Sequence, residues 1–108
     1  MKYLLDTNVL SLALREPNSP VALRLRAHPL AEFAVPSVVR SELIFGAIKG
    51  GNPVRLQSMR EYLALFATLA FDDLCVEPYA QARADLEQRG LRIGALDLMI
   101  ASIALARD

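Results

Sequence analysis

The chain has 108 residues, enough for one domain spanning residues 1–108, and its hydrophobic fraction of 54% predicts a large core for that size. Twelve basic and twelve acidic residues balance to a formal charge of zero, so net charge gives no support for a nucleic-acid partner. The single cysteine excludes an internal disulfide and favours a reducing, cytoplasmic compartment, and neither a signal peptide nor an apolar run of roughly 18 residues points to a membrane.

Short strand-like runs alternate with longer helical periods along the chain. The opening run is too short for a helix and ends at a carboxylate, which predicts a buried strand and a sharp turn. Strands are predicted over residues 2–6, 31–35 and 71–76, and helices over residues 8–15, 20–28, 38–49, 54–70, 79–89 and from 97 onwards. This alternation predicts an α/β domain with a central, mainly parallel sheet and helices on both faces.

Punctuating residues support several of these boundaries. Pro36 closes the second strand, Ser37 is placed to cap the next helix, and Gly90 follows the fifth helix. The last helix is apolar nearly all round over residues 98–106, which predicts burial on most sides. No strand follows that helix to receive it, and a three-stranded parallel sheet is small, so the sequence is expected to be a fragment.

Three acidic residues share a setting that most of the other acids lack. Asp6, Glu42 and Asp97 lie among apolar residues, near the end of a predicted strand or the start of a predicted helix. Ligands in open α/β sheets bind outside the carboxyl ends of the strands, which is where Asp6 is expected. Glu42 has apolar neighbours one turn before and after it, so its carboxylate is not expected to face bulk water.

Each of these acids also has a simpler interpretation. Asp97 is explained as a helix N-cap, Asp6 as a turn residue assisted by Asn8, and Glu42 as the partner of an arginine such as Arg40. One at a time, these interpretations are favoured. Together, in a chain that alternates strand and helix, three acids at element boundaries favour a shared cation.

Mg²⁺ or Mn²⁺ prefers oxygen ligands, and converging carboxylates repel one another unless a cation intervenes. A metal so held supports phosphodiester hydrolysis. Thr7 and Asn8 are expected to orient water or a metal ligand. Arg40 and Arg92, the basic residues nearest two of the acids, are candidates for binding substrate phosphate, with neutralisation of surface carboxylates as an equally favoured alternative.

The remaining polar residues are given structural roles. Asp72 and Asp73 are interpreted as a bulge or edge device in the third strand, and Asp85 and Glu87 as a solvated helix face. Cys75 is expected to be a buried, inert thiol in an apolar strand, and the lone histidine, His28, a surface residue at a helix end.

Three segments resemble the acidic motifs of PIN-domain ribonucleases, particularly VapC-type toxins of bacterial toxin–antitoxin pairs. Tyr3-Leu4-Leu5-Asp6-Thr7-Asn8-Val9-Leu10 resembles the opening motif, and Ser41-Glu42-Leu43-Ile44-Phe45-Gly46 resembles the second. Ile93-Gly94-Ala95-Leu96-Asp97-Leu98-Met99-Ile100-Ala101 resembles the third. Their order and spacing, across almost the whole chain, make the resemblance fairly specific.

The resemblance implies a PIN-like fold and cleavage of RNA that depends on Mg²⁺ or Mn²⁺. Asp6, Glu42 and Asp97 would carry the metal, and Thr7 would help through its hydroxyl. It also implies a homodimer and a cognate antitoxin, which would lie in a groove formed partly by the two helices joined at residues 50–53. The family continues into another strand and a fourth polar ligand, a role that Asp108 does not match, so the sheet either lacks its C-terminal strand or is completed beyond this sequence.

Three functions follow from these residues. The first is a metal-dependent endoribonuclease toxin, hydrolysing RNA phosphodiester bonds and neutralised by an antitoxin. The second is a catalytically impaired PIN-like module that binds antitoxin or RNA, which the early end of the sequence favours. The third, a signalling receiver, ranks last because that fold needs a suitably placed lysine, and Lys2 and Lys49 are the only lysines.

Overall fold

The computed structural model describes residues 3–107, which form three strands and six α-helices. In chain order these are β1 (Tyr3–Leu4), α1 (Thr7–Arg15), α2 (Pro20–Arg26), β2 (Phe33–Pro36), α3 (Ser37–Lys49), α4 (Pro53–Leu63), β3 (Ala67–Leu69), α5 (Val76–Gln88) and α6 (Ala95–Arg107). Short 3-10 turns cover Leu30–Glu32 and Asp73–Cys75. The predicted alternation of strands and helices, and the α/β class, are confirmed.

The sheet is parallel throughout the described residues, with the strand order β1-β2-β3. Tyr3 pairs with Phe33, and Ala34 pairs with Ala67. The pairing of β1 continues one residue beyond the strand, because the backbone N–H of Leu5 donates to the carbonyl of Ala34 over 2.9 Å. All four residues of the central strand β2 are buried, so both faces of the sheet are covered there.

The core forms between the parallel strands and the helices packed against them. Its buried residues are Leu5, Leu10, Phe33, Val35, Val39, Leu43, Leu63 and Phe66. Leu10 and Val39 lie one turn into α1 and α3 and are fully buried. The helices α1 and α3 therefore start next to the sheet and are held there by their first apolar residues. This packing also fixes the positions of the polar residues at the same end of the sheet.

The predicted helix over residues 54–70 is wrong over its last seven residues, about two turns. The helix α4 ends at Leu63, and residues 67–69 form β3. The apolar residues Phe66 and Leu69 fit a helical period, but Phe66 is needed in the core and Leu69 pairs with Pro36 of β2. Pairing with β2 therefore overrides the local helical pattern.

The predicted strand over residues 71–76 is also wrong. The carboxylate of Asp72 accepts a hydrogen bond from the backbone N–H of Leu74 over 3.1 Å and so caps a 3-10 turn, and α5 starts at Val76. Pro78 lies in the first turn of α5, where its missing N–H has no intrahelical partner to lose. Cys75 is fully buried as expected, although in a 3-10 turn and not in a strand.

Two smaller expectations about the helices also need correction. Ser37 is the first residue of α3 and not its cap, because Pro36 occupies the cap position without a side-chain hydrogen bond. The last helix is less buried than its apolar sequence suggests, since the side chain of Leu105 is 56% exposed. Within residues 3–107, no helix is both long and apolar enough to cross a membrane.

Candidate functional site

Asp6 lies at the carboxyl end of β1, where the chain turns directly into α1. It is the N-cap of that helix: its Oδ1 accepts a hydrogen bond from the backbone N–H of Val9 over 2.8 Å. Asp6 is exposed, although its neighbour Leu5 is buried. One carboxylate oxygen is therefore committed to the helix, and the cap fixes where the other oxygen lies.

Glu42 is carried by α3, the helix that follows the central strand without a loop. Its neighbour Leu43 is buried in the core, which fixes the rotation of the helix and turns Glu42 outwards. The expectation that Glu42 avoids water is wrong, because the residue is exposed. Within residues 3–107 it forms no ion pair, so the alternative pairing with Arg40 is not seen.

Asp97 lies in the first turn of α6 and not directly before the helix. The helix begins at Ala95, and the backbone N–H of Leu98 donates to the carbonyl of Gly94 over 3.0 Å. Asp97 is exposed, while its neighbour Leu98 is buried. A carboxylate in the first turn interacts favourably with the positive end of the helix dipole.

The three acids line one pocket of about 180 Å³, although they come from three separate parts of the chain. The two polar residues that follow Asp6 also line it, and an apolar wall completes it. The lining residues are Asp6, Thr7, Asn8, Val38, Glu42, Leu96, Asp97 and Ile100. The structure therefore brings together five of the seven residues singled out in the sequence, at the carboxyl end of the parallel sheet.

The lining carries three carboxylates and no basic side chain. Carboxylates that share a site repel one another unless a cation or a proton intervenes. The donor set consists of oxygens, which suits Mg²⁺ or Mn²⁺. As the side chains stand, no three His, Cys, Asp or Glu residues within residues 3–107 are grouped closely enough to hold a metal ion directly.

Room for water reconciles these two observations. Mg²⁺ keeps several of its waters and is usually bound through one or two carboxylates. The pocket of about 180 Å³ accommodates several waters at roughly 30 Å³ each. The residues present therefore fit a hydrated divalent cation better than a fully dehydrated one.

The two arginines named from the sequence do not line the acidic pocket. The guanidinium of Arg40 turns the other way and donates from Nη2 to the backbone carbonyl of Phe66. Arg92 lines a different pocket, between α5 and α6. They were named as candidates by their distance from the acids along the sequence, which does not report the direction of a side chain, and a role in binding phosphate stays a prediction.

Sequence reasoning missed the apolar wall of the site. Val38, Leu96 and Ile100 line the acidic pocket beside the carboxylates. Val38 lies four residues before Glu42, and Ile100 three residues after Asp97, so helical spacing places each beside its acid. That spacing was a usable signal, and it indicates a pocket with one apolar side.

Comparison with known proteins agrees with this geometry. The family model described as PIN domain matches residues 3–108. Ribonuclease VapC2 of Rickettsia felis is 34% identical over 112 residues, which cover 100% of this chain and 82% of the relative. The tRNA(fMet)-specific endonuclease VapC of Salmonella typhimurium is 30% identical, over 99% of this chain and 81% of the relative.

A solved structure extends the likeness to three dimensions. The DNA-bound VapBC structure from Salmonella typhimurium superposes with a TM-score of 0.89 at 28% identity, covering 99% of this chain and 81% of that chain. The resemblance read from the three acidic segments is thereby confirmed, and the chain belongs to the PIN domain family.

Proposed function

We propose that this chain is the ribonuclease toxin of a toxin–antitoxin pair and hydrolyses RNA phosphodiester bonds with the help of Mg²⁺ or Mn²⁺. The observation that carries the proposal is the meeting of Asp6, Glu42 and Asp97 at one pocket. A PIN-domain chain whose relatives are named ribonucleases supports the choice of RNA as substrate.

The residues divide the work by position. Asp6, Glu42 and Asp97 would hold the cation, and Lewis-acid stabilisation of charge on the phosphoryl oxygens is what that cation supplies when bound. The hydroxyl of Thr7 and the amide of Asn8, which line the pocket at the start of α1, would orient a water or a substrate oxygen by hydrogen bonding. The apolar wall excludes water from one side of the pocket, which strengthens the electrostatic interactions within it.

An antitoxin partner is supported by the VapBC structure and by a surface on the helical hairpin. Side chains of Phe45, Ile48 and Val54, on the hairpin formed by α3 and α4, are 62%, 56% and 74% exposed. An exposed apolar surface of this kind is typical of a protein interface. We assign this hairpin to the antitoxin groove; the homodimer expected from the family resemblance stays a prediction.

The sharpest test of the metal site is Asp6→Asn. The asparagine oxygen still accepts the bond from Val9, so the helix cap is kept while the charge is lost. We expect Mg²⁺-dependent cleavage of purified tRNA to fall by at least about a hundredfold, because stabilisation of the developing charge is lost.

Asp6→Ala provides the comparison, because it removes the helix cap as well as the charge. Its free energy of unfolding in urea should be lower than that of the parent chain by about 1 kcal/mol. Asp73→Asn, an exposed acid outside the pocket, should cleave like the parent chain. Full cleavage by Asp6→Asn would remove Asp6 from the site, and cleavage that is indifferent to EDTA would exclude a metal-dependent mechanism.

The second candidate, a binding module without cleavage, is favoured by one observation. As they stand, the carboxylates within residues 3–107 are not grouped to hold a metal directly. The same assay separates the two candidates: RNA that is bound but stays intact with both Mg²⁺ and Mn²⁺ identifies the binding module.

A further inference from the structure

A second pocket lies on the other side of the first turn of α6. It measures about 550 Å³ and is lined by one side of α5, the loop from Gly90 to Ile93 and the start of α6. Ala95 and Leu98 line this pocket, whereas Leu96 and Asp97 line the acidic one. The two pockets therefore share one turn of helix as their common wall.

The charges in this pocket leave one cation without a counter-ion. Arg83 donates from Nε to Glu87 over 3.2 Å and from Nη1 to the hydroxyl of Tyr79 over 3.4 Å. Arg92 has no hydrogen bond or ion pair within the described residues, and it is exposed at the pocket. The pocket thus combines a free guanidinium with a tyrosine and an apolar wall formed largely by leucine and isoleucine.

This combination matches a nucleotide in three respects. The volume lies within the range of about 300–1,000 Å³ for small-molecule sites. A free arginine binds phosphate through two parallel N–H donors, and apolar or aromatic side chains accept the face of a base. The pocket also shares the first turn of α6 with the acidic pocket, so a strand that occupies the acidic pocket can continue into it.

We propose that the α5–α6 pocket binds a nucleotide of the RNA that flanks the cleaved bond, with Arg92 on its phosphate. This inference rests on the proposed ribonuclease function, because it takes the substrate strand to continue from the acidic pocket. Arg92 then acts in binding substrate and not in the chemistry itself. Glu87 opposes this binding, since its charge lies in the same pocket.

The chain offers a matched set of four variants at this end of α5. Arg92→Gln and Glu87→Gln change charges that line the pocket. Arg89→Gln and Asp85→Asn make the same changes in net charge on an exposed ion pair of 3.2 Å that does not line it. Differences within each matched pair therefore report the pocket and not the overall charge of the protein.

The experiment measures the affinity for a fluorescent dodecauridylate by anisotropy, in EDTA and at several salt concentrations. We expect Arg92→Gln to weaken binding about fivefold and to reduce the slope of log affinity against log salt by about 0.7, the value for one phosphate of a single strand. Glu87→Gln should tighten binding by a similar factor. Arg89→Gln and Asp85→Asn should each change affinity by less than about twofold.

Three results would overturn the inference. If each pocket variant shifts affinity as its matched control does, the pocket does not contact RNA, and cleavage by the parent chain would show that the proposed function survives. If Arg92→Gln weakens binding with an unchanged salt slope, Arg92 does not bind phosphate. A parent chain that neither cleaves nor binds RNA would remove both proposals together.

Discussion

Asp72 shows how a single carboxylate connects distant parts of this chain. Its Oδ1 caps the 3-10 turn at Leu74, and its Oδ2 accepts a hydrogen bond from Nη2 of Arg107 over 2.8 Å. The thiol of Cys75 also lies 3.7 Å from Oδ1. Asp72 therefore ties the end of α6 to the turn before α5. It is exposed as expected, but it is not a bulge or edge device, because no strand forms there.

The hydrogen bond from Arg107 holds the pKa of Asp72 below its ordinary value of 3.8. As the pH falls below that value, the unfolded chain takes up this proton before the folded chain does. The stability that Asp72 contributes is thus fully present above pH 3.8, and it is lost as the pH falls through the lowered pKa of the folded state.

The test is Asp72→Asn, which keeps an oxygen for Leu74 and loses the charge facing Arg107. We expect the variant to unfold at lower urea concentration than the parent chain at neutral pH. This difference in stability between the parent chain and the variant should disappear well below pH 3.8, where the parent carboxylate is protonated. Asp73→Asn is the control, because Asp73 is the exposed acid next to Asp72. If the difference in stability between Asp72→Asn and the parent chain does not change with pH, the ion pair is not its cause.

At the scale of elements, prediction from sequence succeeded where local chemistry and packing agree. The Asp6 turn, the Gly50–Gly51 break and the stop at Gly90 were placed correctly, and Gly51 and Gly90 have the positive φ angles of 74° and 71° that favour glycine. It failed between residues 64 and 76, because apolar spacing does not distinguish the end of α4 from a short edge strand. Pairing with β2 decides that segment, and a partner strand is not visible in local sequence.

The candidate site also shows that local sequence does not report tertiary contacts. Asp6, Glu42 and Asp97 were singled out because each is an acid in an apolar context, and all three line one pocket; their role in holding a metal stays a prediction. Arg40 was assigned to substrate by distance along the sequence, yet α3 directs it towards the backbone of Phe66. Side-chain direction depends on the rotation of the helix about its axis, which is set by the burial of Val39 and Leu43.

Arg40 is best understood as a brace between α3 and the turn before β3. Its Nη2 donates to the carbonyl of Phe66, and burial lowers the pKa of its guanidinium. Within the described residues, its buried Nε has no partner, so the brace depends on the one bond made by Nη2. A residue held in this way positions β3 against the end of α3.

Arg40→Met retains the length of the side chain and removes the donor to Phe66. We expect a loss of about 1 kcal/mol in the free energy of unfolding in urea, because that carbonyl loses its partner. The salt slope of RNA affinity should stay as in the parent chain. Arg55→Met, at an exposed arginine on α4, is the control for stability. If Arg40→Met reduces the slope of log RNA affinity against log salt, Arg40 does bind substrate phosphate.

At the scale of the whole molecule, the carboxylates proposed to bind the metal are also expected to lower the stability of the folded protein when no metal is bound. Three carboxylates line one pocket of about 180 Å³, and carboxylates that share a site repel one another unless a cation or a proton intervenes. A ligand that binds only the folded state stabilises it by mass action, by about 1.4 kcal/mol at ten times its Kd. Metal binding should therefore raise the thermal stability of the protein, which can be measured independently of any RNA cleavage.

Glu42→Gln separates the two effects, because Glu42 lies in the middle of α3, away from both helix ends. In EDTA we expect its thermal midpoint to be a few degrees above that of the parent chain, since one repelling charge is gone. With Mg²⁺ at about ten times its Kd, the parent midpoint should rise by about 5–10 °C and that of the variant much less. Glu61→Gln, an exposed acid on α4, should follow the parent chain in both conditions. Equal responses of Glu42→Gln and the parent chain to Mg²⁺ would mean that Glu42 holds no cation, whereas a parent midpoint unaffected by Mg²⁺ and by Mn²⁺ would remove the metal site itself.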